Sequence, residues 1–171
     1  ESKMCSKDWK TINFQHIPSQ CMIKSQKAFA RNAPKQWSEF VESVAEGTAK
    51  INTATLWPHQ ILDECIRINF AKRNKQDLTQ LPIERQILWD NLPNFLDKAP
   101  TLVVADSSAS MRANNCLPLQ VAFSLALYTS ERLTGQWKNK MITFSSKPSF
   151  VQFEDTDTIA EKIHKIPHIV D

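Results

Sequence analysis

Apolar residues recur every three or four positions through the first half of the chain and fall into short blocks through the second. Trp37, Phe40, Val41 and Val44 make one such stripe in PKQWSEFVESVAEG, which predicts a helix opened by Pro34, capped by Asn32 and ended by Gly47. Ahead of it, Ser19 is the expected N-cap of CMIKSQKAFARN, with Met22, Ala28 and Phe29 as the inner face. Pro58 opens PHQILDECIRINFAKR, expected to bury Ile61, Leu62, Cys65, Ile66 and Phe70. Pro82 opens PIERQILWDNL, expected to bury Ile83, Ile87 and Leu88. Between these two, KRNKQDLTQ (72–80) reads as a polar connector.

The pattern changes near Ala99-Pro100. TLVVA reads as a strand and LPLQVAFSLALYTSERL (117–133) as a long, mostly apolar helix. KMITFSS and SFVQF read as two more strands, an antiparallel hairpin around Lys147-Pro148, and DTIAEKIHKI as an amphipathic helix. The order strand, helix, strand, strand, helix points to a layered α/β sheet. The expected fold class is therefore α/β: an all-helical region over 1–98, then a partial three-layer α/β domain over 99–171. So few strands are part of such a sheet, so further elements are expected after Asp171 or from another chain.

Composition narrows the function. A 42% hydrophobic and 23% charged share is that of a globular chain. No apolar run approaches the ~20 residues of a membrane span, and ESKMCSKDWK lacks the apolar core of a signal peptide. Cys5, Cys21, Cys65 and Cys116 are scattered, which favours reduced thiols and a cytoplasmic or nuclear setting over two disulfides. Residues 1–98 carry 14 Lys/Arg against 11 Asp/Glu, whereas 99–171 carry 7 against 7. Only the first part offers a positive excess to an anionic partner. With Gly47 and Gly135 as the only glycines, neither a P-loop nor a dinucleotide fingerprint can form.

The chemistry concentrates where the first strand ends. Asp106, Ser108 and Ser110 form D-x-S-x-S in TLVVADSSASMRANN. Ligands of open α/β sheets bind outside the carboxyl ends of strands. Alternate residues of an extended loop can turn one carboxylate and two hydroxyls toward one hard cation, such as Mg²⁺, which keeps waters and an open position. Asp and Ser also cap and make Asx-turns wherever a strand turns toward a helix. Both readings stand on spacing alone.

ADSSASM, the long apolar helix and KMITFSSKP together resemble the opening of a von Willebrand factor A domain. NFQHIPSQCMIKSQKAFARN, FVESVAEGTAKINTATLWPHQIL and QILWDNLP are similar to a eukaryotic and giant-virus family of unknown function, in which a helical, Ro (TROVE)-like region precedes such a domain. The resemblance implies a Rossmann-like fold. It also implies a metal-ion-dependent adhesion site whose first segment is Asp106, Ser108 and Ser110, holding Mg²⁺ (or Mn²⁺ or Ca²⁺). The expected function is then a non-enzymatic, cation-dependent module that binds a protein partner offering a carboxylate. Two departures weaken the expected hold on the ion. Ala109 stands where the family has glycine, and the family's later threonine and aspartate ligands would fall beyond the second helix, near or past Asp171.

Other chemistry is sparser. No G-x-S-x-G surrounds a serine, and His16, His59, His164 and His168 stand in no triad order, so hydrolysis is not expected. His164 and His168 have a zinc-compatible spacing but no third ligand, and read as surface residues. Trp37, Phe40, Trp57, Trp89 and Phe95 read as core rather than as base-stacking groups. Lys72, Arg73 and Lys75 form the densest basic cluster. Ro proteins bind RNA through a helical ring, so the rival expectation is an RNA-binding component using these three residues. A structural subunit, its sheet completed by another chain, is the third.

Overall fold

A computed structural model describes residues 2–71, 83–97 and 99–167. The expected connector 72–80 lies outside the described residues, and with it Lys72, Arg73 and Lys75; so does His168. The architecture is mixed helix and strand, and the chain divides into two compact units. The first comprises 1–56 with 83–93, the second 57–82 with 94–171.

The first unit is helical. Its elements are α1 (Ser2–Cys5), two single 3-10 turns at Trp9–Thr11 and Phe14–His16, α2 (Ser19–Asn32), α3 (Pro34–Ala45) and α5 (Ile83–Asp90). Helix α3 follows the sequence closely: Trp37, Phe40, Val41 and Val44 are buried, Pro34 stands at its start and Gly47 takes a left-handed φ of +75° just past its end. Its N-cap is Ala33 rather than Asn32, whose amide instead donates to Ala28 O at 2.8 Å. Nor does Ser19 cap α2. Pro18 holds that position, and the buried Ser19 hydroxyl donates to Asn52 Oδ1 at 2.8 Å. Met22 and Phe29 are fully buried, whereas Ile83 is 60% exposed and Trp89 replaces it on the inner face of α5.

An aromatic cluster forms the core of this unit. The Phe14 ring lies 5.2 Å from Phe29, 5.3 Å from Trp37 and 5.4 Å from Phe40. The indole N–H of Trp37 donates to Glu84 Oε1 at 3.1 Å, and the Thr53 hydroxyl donates to Asn91 O at 2.6 Å, tying α5 and its exit to the rest. Buried indoles keep such a partner because an unpaired donor is costly.

The second unit holds α4 (Pro58–Ala71), β1 (Val103–Asp106), a 3-10 turn at Ala109–Arg112, α6 (Ala113–Arg132), β2 (Lys140–Phe144), β3 (Ser149–Gln152) and α7 (Ile159–Lys165). The sheet order is β1-β2-β3, with β1 parallel to β2 and β2 antiparallel to β3. Helix α6 crosses between β1 and β2 and packs on them, and α4 packs on α6 and α7. Helix α4 thus packs within the unit that holds the sheet. Its Ile61, Leu62 and Ile66 are fully buried. The side chains of Cys65 and Phe70, expected beside them, lie outside the description.

Strand alternation sorts the sheet residues. Ala105, Met141, Thr143 and Val151 face inward and are buried. Val104, Phe144 and Phe150, exposed by 57%, 58% and 56%, share the opposite face with Ile142, which pairs in register with both Val104 and Phe150. Two aromatics read as core are also out in solvent: Trp57 is 63% exposed and Phe95 77%. Among the described residues no helix is long and apolar enough to cross a membrane.

Helix α7 is held by charge as well as by Ile159 and Ile163. Thr158 caps it in a reciprocal box with Glu161. The buried Lys162 ammonium donates to Glu131 Oε1 of α6 at 2.8 Å, and Arg132 meets the other carboxylate oxygen at 3.3 Å. Around it Asp155, Asp157 and Glu161 all titrate below the usual carboxylate range. Hydrogen bonds from Lys138 and then Asn139 hold Asp155, from Lys165 and then Glu154 N hold Asp157, and from Thr158 hold Glu161. A carboxylate whose folded pKa is depressed adds stability that is complete above its unfolded pKa, near 4, and is lost as pH falls through the folded value. Thermal melting should therefore drop between pH 5 and pH 3, and Asp157→Asn should melt lower at pH 5 with a smaller acid-induced drop. An unchanged drop in the variant would refute the assignment.

Candidate functional site

The loop after β1 is fixed first by a residue that sequence reasoning passed over. Ser107 is 1% exposed, and both its backbone N–H (2.8 Å) and its hydroxyl (2.9 Å) donate to Phe144 O at the end of β2. The only sequence signal was its place on the inward side of the alternation, between the two outward positions 106 and 108. This double anchor holds the start of the loop to the top of the sheet. Ser107→Ala removes one of the two donors while the carbonyl keeps the other, so stability should fall by about 1 kcal/mol in urea unfolding.

Asp106 and Ser108 project on the other side. Asp106 is exposed, and its Oδ1 accepts the Ser108 backbone N–H at 2.9 Å. That bond, followed by one from the Ser108 hydroxyl, lowers the pKa of the carboxyl, which is therefore ionised at neutral pH. The Ser108 and Ser110 hydroxyl oxygens stand 3.1 Å apart. The structure thus brings the three predicted residues into one run of oxygen atoms at the carboxyl end of β1. Ala109 opens the 3-10 turn and is not among the residues with positive φ, so no glycine is required there.

Between this turn and the regular part of α6 the chain takes three left-handed residues in succession, Asn114 (φ +50°), Asn115 (+57°) and Cys116 (+62°). Asparagine tolerates this region and cysteine does so rarely. Gln120 Nε2 donates back to Asn115 O at 3.2 Å, and Pro118 then falls in the first turn of the regular helix.

The donor set is one carboxylate and two hydroxyls, all hard oxygen, which suits Mg²⁺ or Mn²⁺ with water completing the shell. Among the described residues no three His, Cys, Asp or Glu side chains cluster as a metal site. His164 is exposed on α7, and Cys5, Cys21 and Cys116 are free thiols. His59 titrates below its ordinary value because burial disfavours the imidazolium, an effect partly offset by Asp63.

Comparison with known proteins places the chain in a family. Residues 1–101 match a domain of unknown function, DUF2828, and residues 100–170 match a second one, DUF7788. The chain belongs to the DUF2828 family. It is also similar to uncharacterized protein L728 of Acanthamoeba polyphaga mimivirus, with 26% identity over 167 aligned residues that cover 88% of this chain and 27% of the viral protein. The chain spans about a quarter of the length of that relative. No solved structure matches it.

Proposed function

We propose that residues 99–171 form a von Willebrand A-type domain and that the protein is a non-enzymatic, divalent-cation-dependent module for protein recognition. The observation that carries this reading is the cluster at the end of β1: an exposed, ionised Asp106 with the hydroxyls of Ser108 and Ser110 beside it, 3.1 Å from each other. Asp106 would hold Mg²⁺ by charge and the two serines by their hydroxyl oxygens. The bound ion supplies a Lewis-acidic position that a carboxylate of the partner protein can fill. With a single carboxylate in the set, affinity for the ion alone is expected to be on the order of 1 mM. Titration of the chain with Mn²⁺, followed by electron paramagnetic resonance of the free ion, tests the site. One saturable Mn²⁺ displaced by Mg²⁺ supports it, and no binding up to 10 mM rejects it.

A structural role in a larger assembly is the second reading, and the bare apolar face of the sheet at Val104, Phe144 and Phe150 favours it. Parallel strands are normally covered on both faces. On this reading the isolated chain binds a hydrophobic dye and aggregates with or without the cation. An RNA-binding role rests on Lys72, Arg73 and Lys75, which lie outside the described residues.

A further inference from the structure

Strand register puts an apolar shelf beside the candidate ion ligands. Asp106 pairs with Phe144, and Val104 pairs with Ile142, which pairs in turn with Phe150. Alternation turns these five side chains to the face opposite the buried Ala105, Met141, Thr143 and Val151. Val104, Phe144 and Phe150 are each more than half exposed, and Ile142 is half-buried between Val104 and Phe150. The shelf has a polar rim: the exposed Asp106 carboxylate at one end, and Lys140 in register with Gln152 at the other.

The shelf is also tied to the oxygen cluster. Ser107 lies between Asp106 and Ser108, and its backbone N–H and hydroxyl both donate to Phe144 O, at 2.8 and 2.9 Å. The backbone that carries the Phe144 ring is thus fixed to the loop that carries the candidate ligands.

Exposed apolar patches rimmed by polar groups mark binding surfaces. Size then selects the occupant. The three strands have four, five and four residues. At about 4.8 Å between strands and about 3.3 Å per residue, they present about 10 Å by 13 Å. A standard interface takes about 800 Å² from each partner, several times more, so the shelf by itself does not hold a second copy of the chain. It has room for one or two side chains. Asp106 and Val104 are two residues apart on one strand, about 6.6 Å. Side chains two apart in an extended ligand share one side at the same repeat. A ligand carboxylate that reaches the ion therefore brings its second neighbour over the shelf.

We propose that the partner recognised at this site is an extended segment carrying an acidic residue and, two positions away, an aromatic or branched apolar residue. This rests on the cation-dependent reading above and adds a second determinant to it. The acid fills the open position on the ion, and the apolar side chain packs on Ile142 among Val104, Phe144 and Phe150. The ion selects for an acid, and the shelf selects among acidic ligands by removing apolar surface from water on both partners.

Fluorescence anisotropy of dye-labelled peptides on the 171-residue chain, in 10 mM Mg²⁺ or in EDTA, tests this. The probes are Phe-Ser-Glu-Ser-Phe, Ser-Ser-Glu-Ser-Ser and Phe-Ser-Gln-Ser-Phe. With Mg²⁺ the first should bind at least tenfold tighter than either of the others, and EDTA should weaken it at least tenfold. Phe150→Ser changes a side chain two strands away from Asp106. It should keep the circular dichroism and the Mn²⁺ titration of the parent and lose the preference for the first peptide over the second. Equal binding of those two peptides in a chain that binds Mn²⁺, or a preference that survives Phe150→Ser, overturns the shelf and leaves the cation reading standing. No saturable Mn²⁺ binding overturns both. Binding of the two phenylalanine peptides that ignores EDTA and the exchange of Glu for Gln marks a plain apolar contact, as a structural subunit would make, and also overturns the proposal.

Discussion

Replacing Phe14 by alanine should remove about 3–5 kcal/mol of stability from the first unit. Phe14 sits in a single 3-10 turn, outside any long helix, yet it is 5% exposed. Its ring meets Phe29 edge-on at 5.2 Å and Trp37 edge-on at 5.3 Å, and stacks on Phe40 at 5.4 Å. It therefore joins α2 to α3, and truncation leaves a cavity among three rings that cannot collapse independently. Each lost aromatic pair adds about 0.5–1.5 kcal/mol to the loss of buried area. Against a total stability of about 5–15 kcal/mol, this is a large fraction. Urea unfolding followed by tryptophan fluorescence measures it. Phe95→Ala is the control: at 77% exposure it should change stability by less than about 0.5 kcal/mol. A Phe14 variant within 1 kcal/mol of the parent would show that the cluster is not the core of this unit.

The second large effect concerns the ion. Asp106 is the only carboxylate in the candidate cluster, so Asp106→Ala should weaken Mg²⁺ or Mn²⁺ binding at least tenfold, while Ser110→Ala, which removes one neutral ligand, should weaken it less. With a dissociation constant near 1 mM, 10 mM Mg²⁺ stabilises the parent by about 1.4 kcal/mol, a few degrees in melting temperature. The variant should show no such shift. Because the Asp106 side chain is exposed and its bond from the Ser108 backbone N–H is local, the variant should fold like the parent without the ion. Equal Mg²⁺-induced shifts in parent and variant would remove Asp106 from the site.

Much of the fold could be read from local chemistry. The α3 stripe, its proline start and its glycine end were all legible, because a helix of that amphipathicity is specified within its own 14 residues. So was the order of strands and helices after residue 100, because the period of the apolar positions changes there. The misreadings share a physical cause: the deciding partner lies far off in sequence. Ser19 turns from capping to Asn52, 33 residues away, once Pro18 occupies the cap. Ser107 is anchored by Phe144, 37 residues away. Ile83 lies at the edge of a stripe and loses its place to Trp89, and Trp57 and Phe95 have apolar rings but no inward position. What α4 packs on lay outside the sequence's reach too, since amphipathicity says that a helix buries one face but not against what.

The candidate site divides in the same way. A buried strand running into an aspartate and alternating serines marked the place, and the pairing of the two hydroxyls follows from their spacing. The left-handed run at Asn114, Asn115 and Cys116 did not announce itself, although two asparagines in succession are the residues that tolerate it. It turns the chain from the site into α6.

The most direct test is the anomalous scattering of a crystal of this chain grown or soaked in Mn²⁺. The reading advanced above requires a peak about 2.1–2.2 Å from an Asp106 carboxylate oxygen, with the Ser108 and Ser110 hydroxyls turned toward it. A peak elsewhere, or an Asp106 carboxylate that stays bonded to the Ser108 amide with no ion in reach at saturating Mn²⁺, would contradict it.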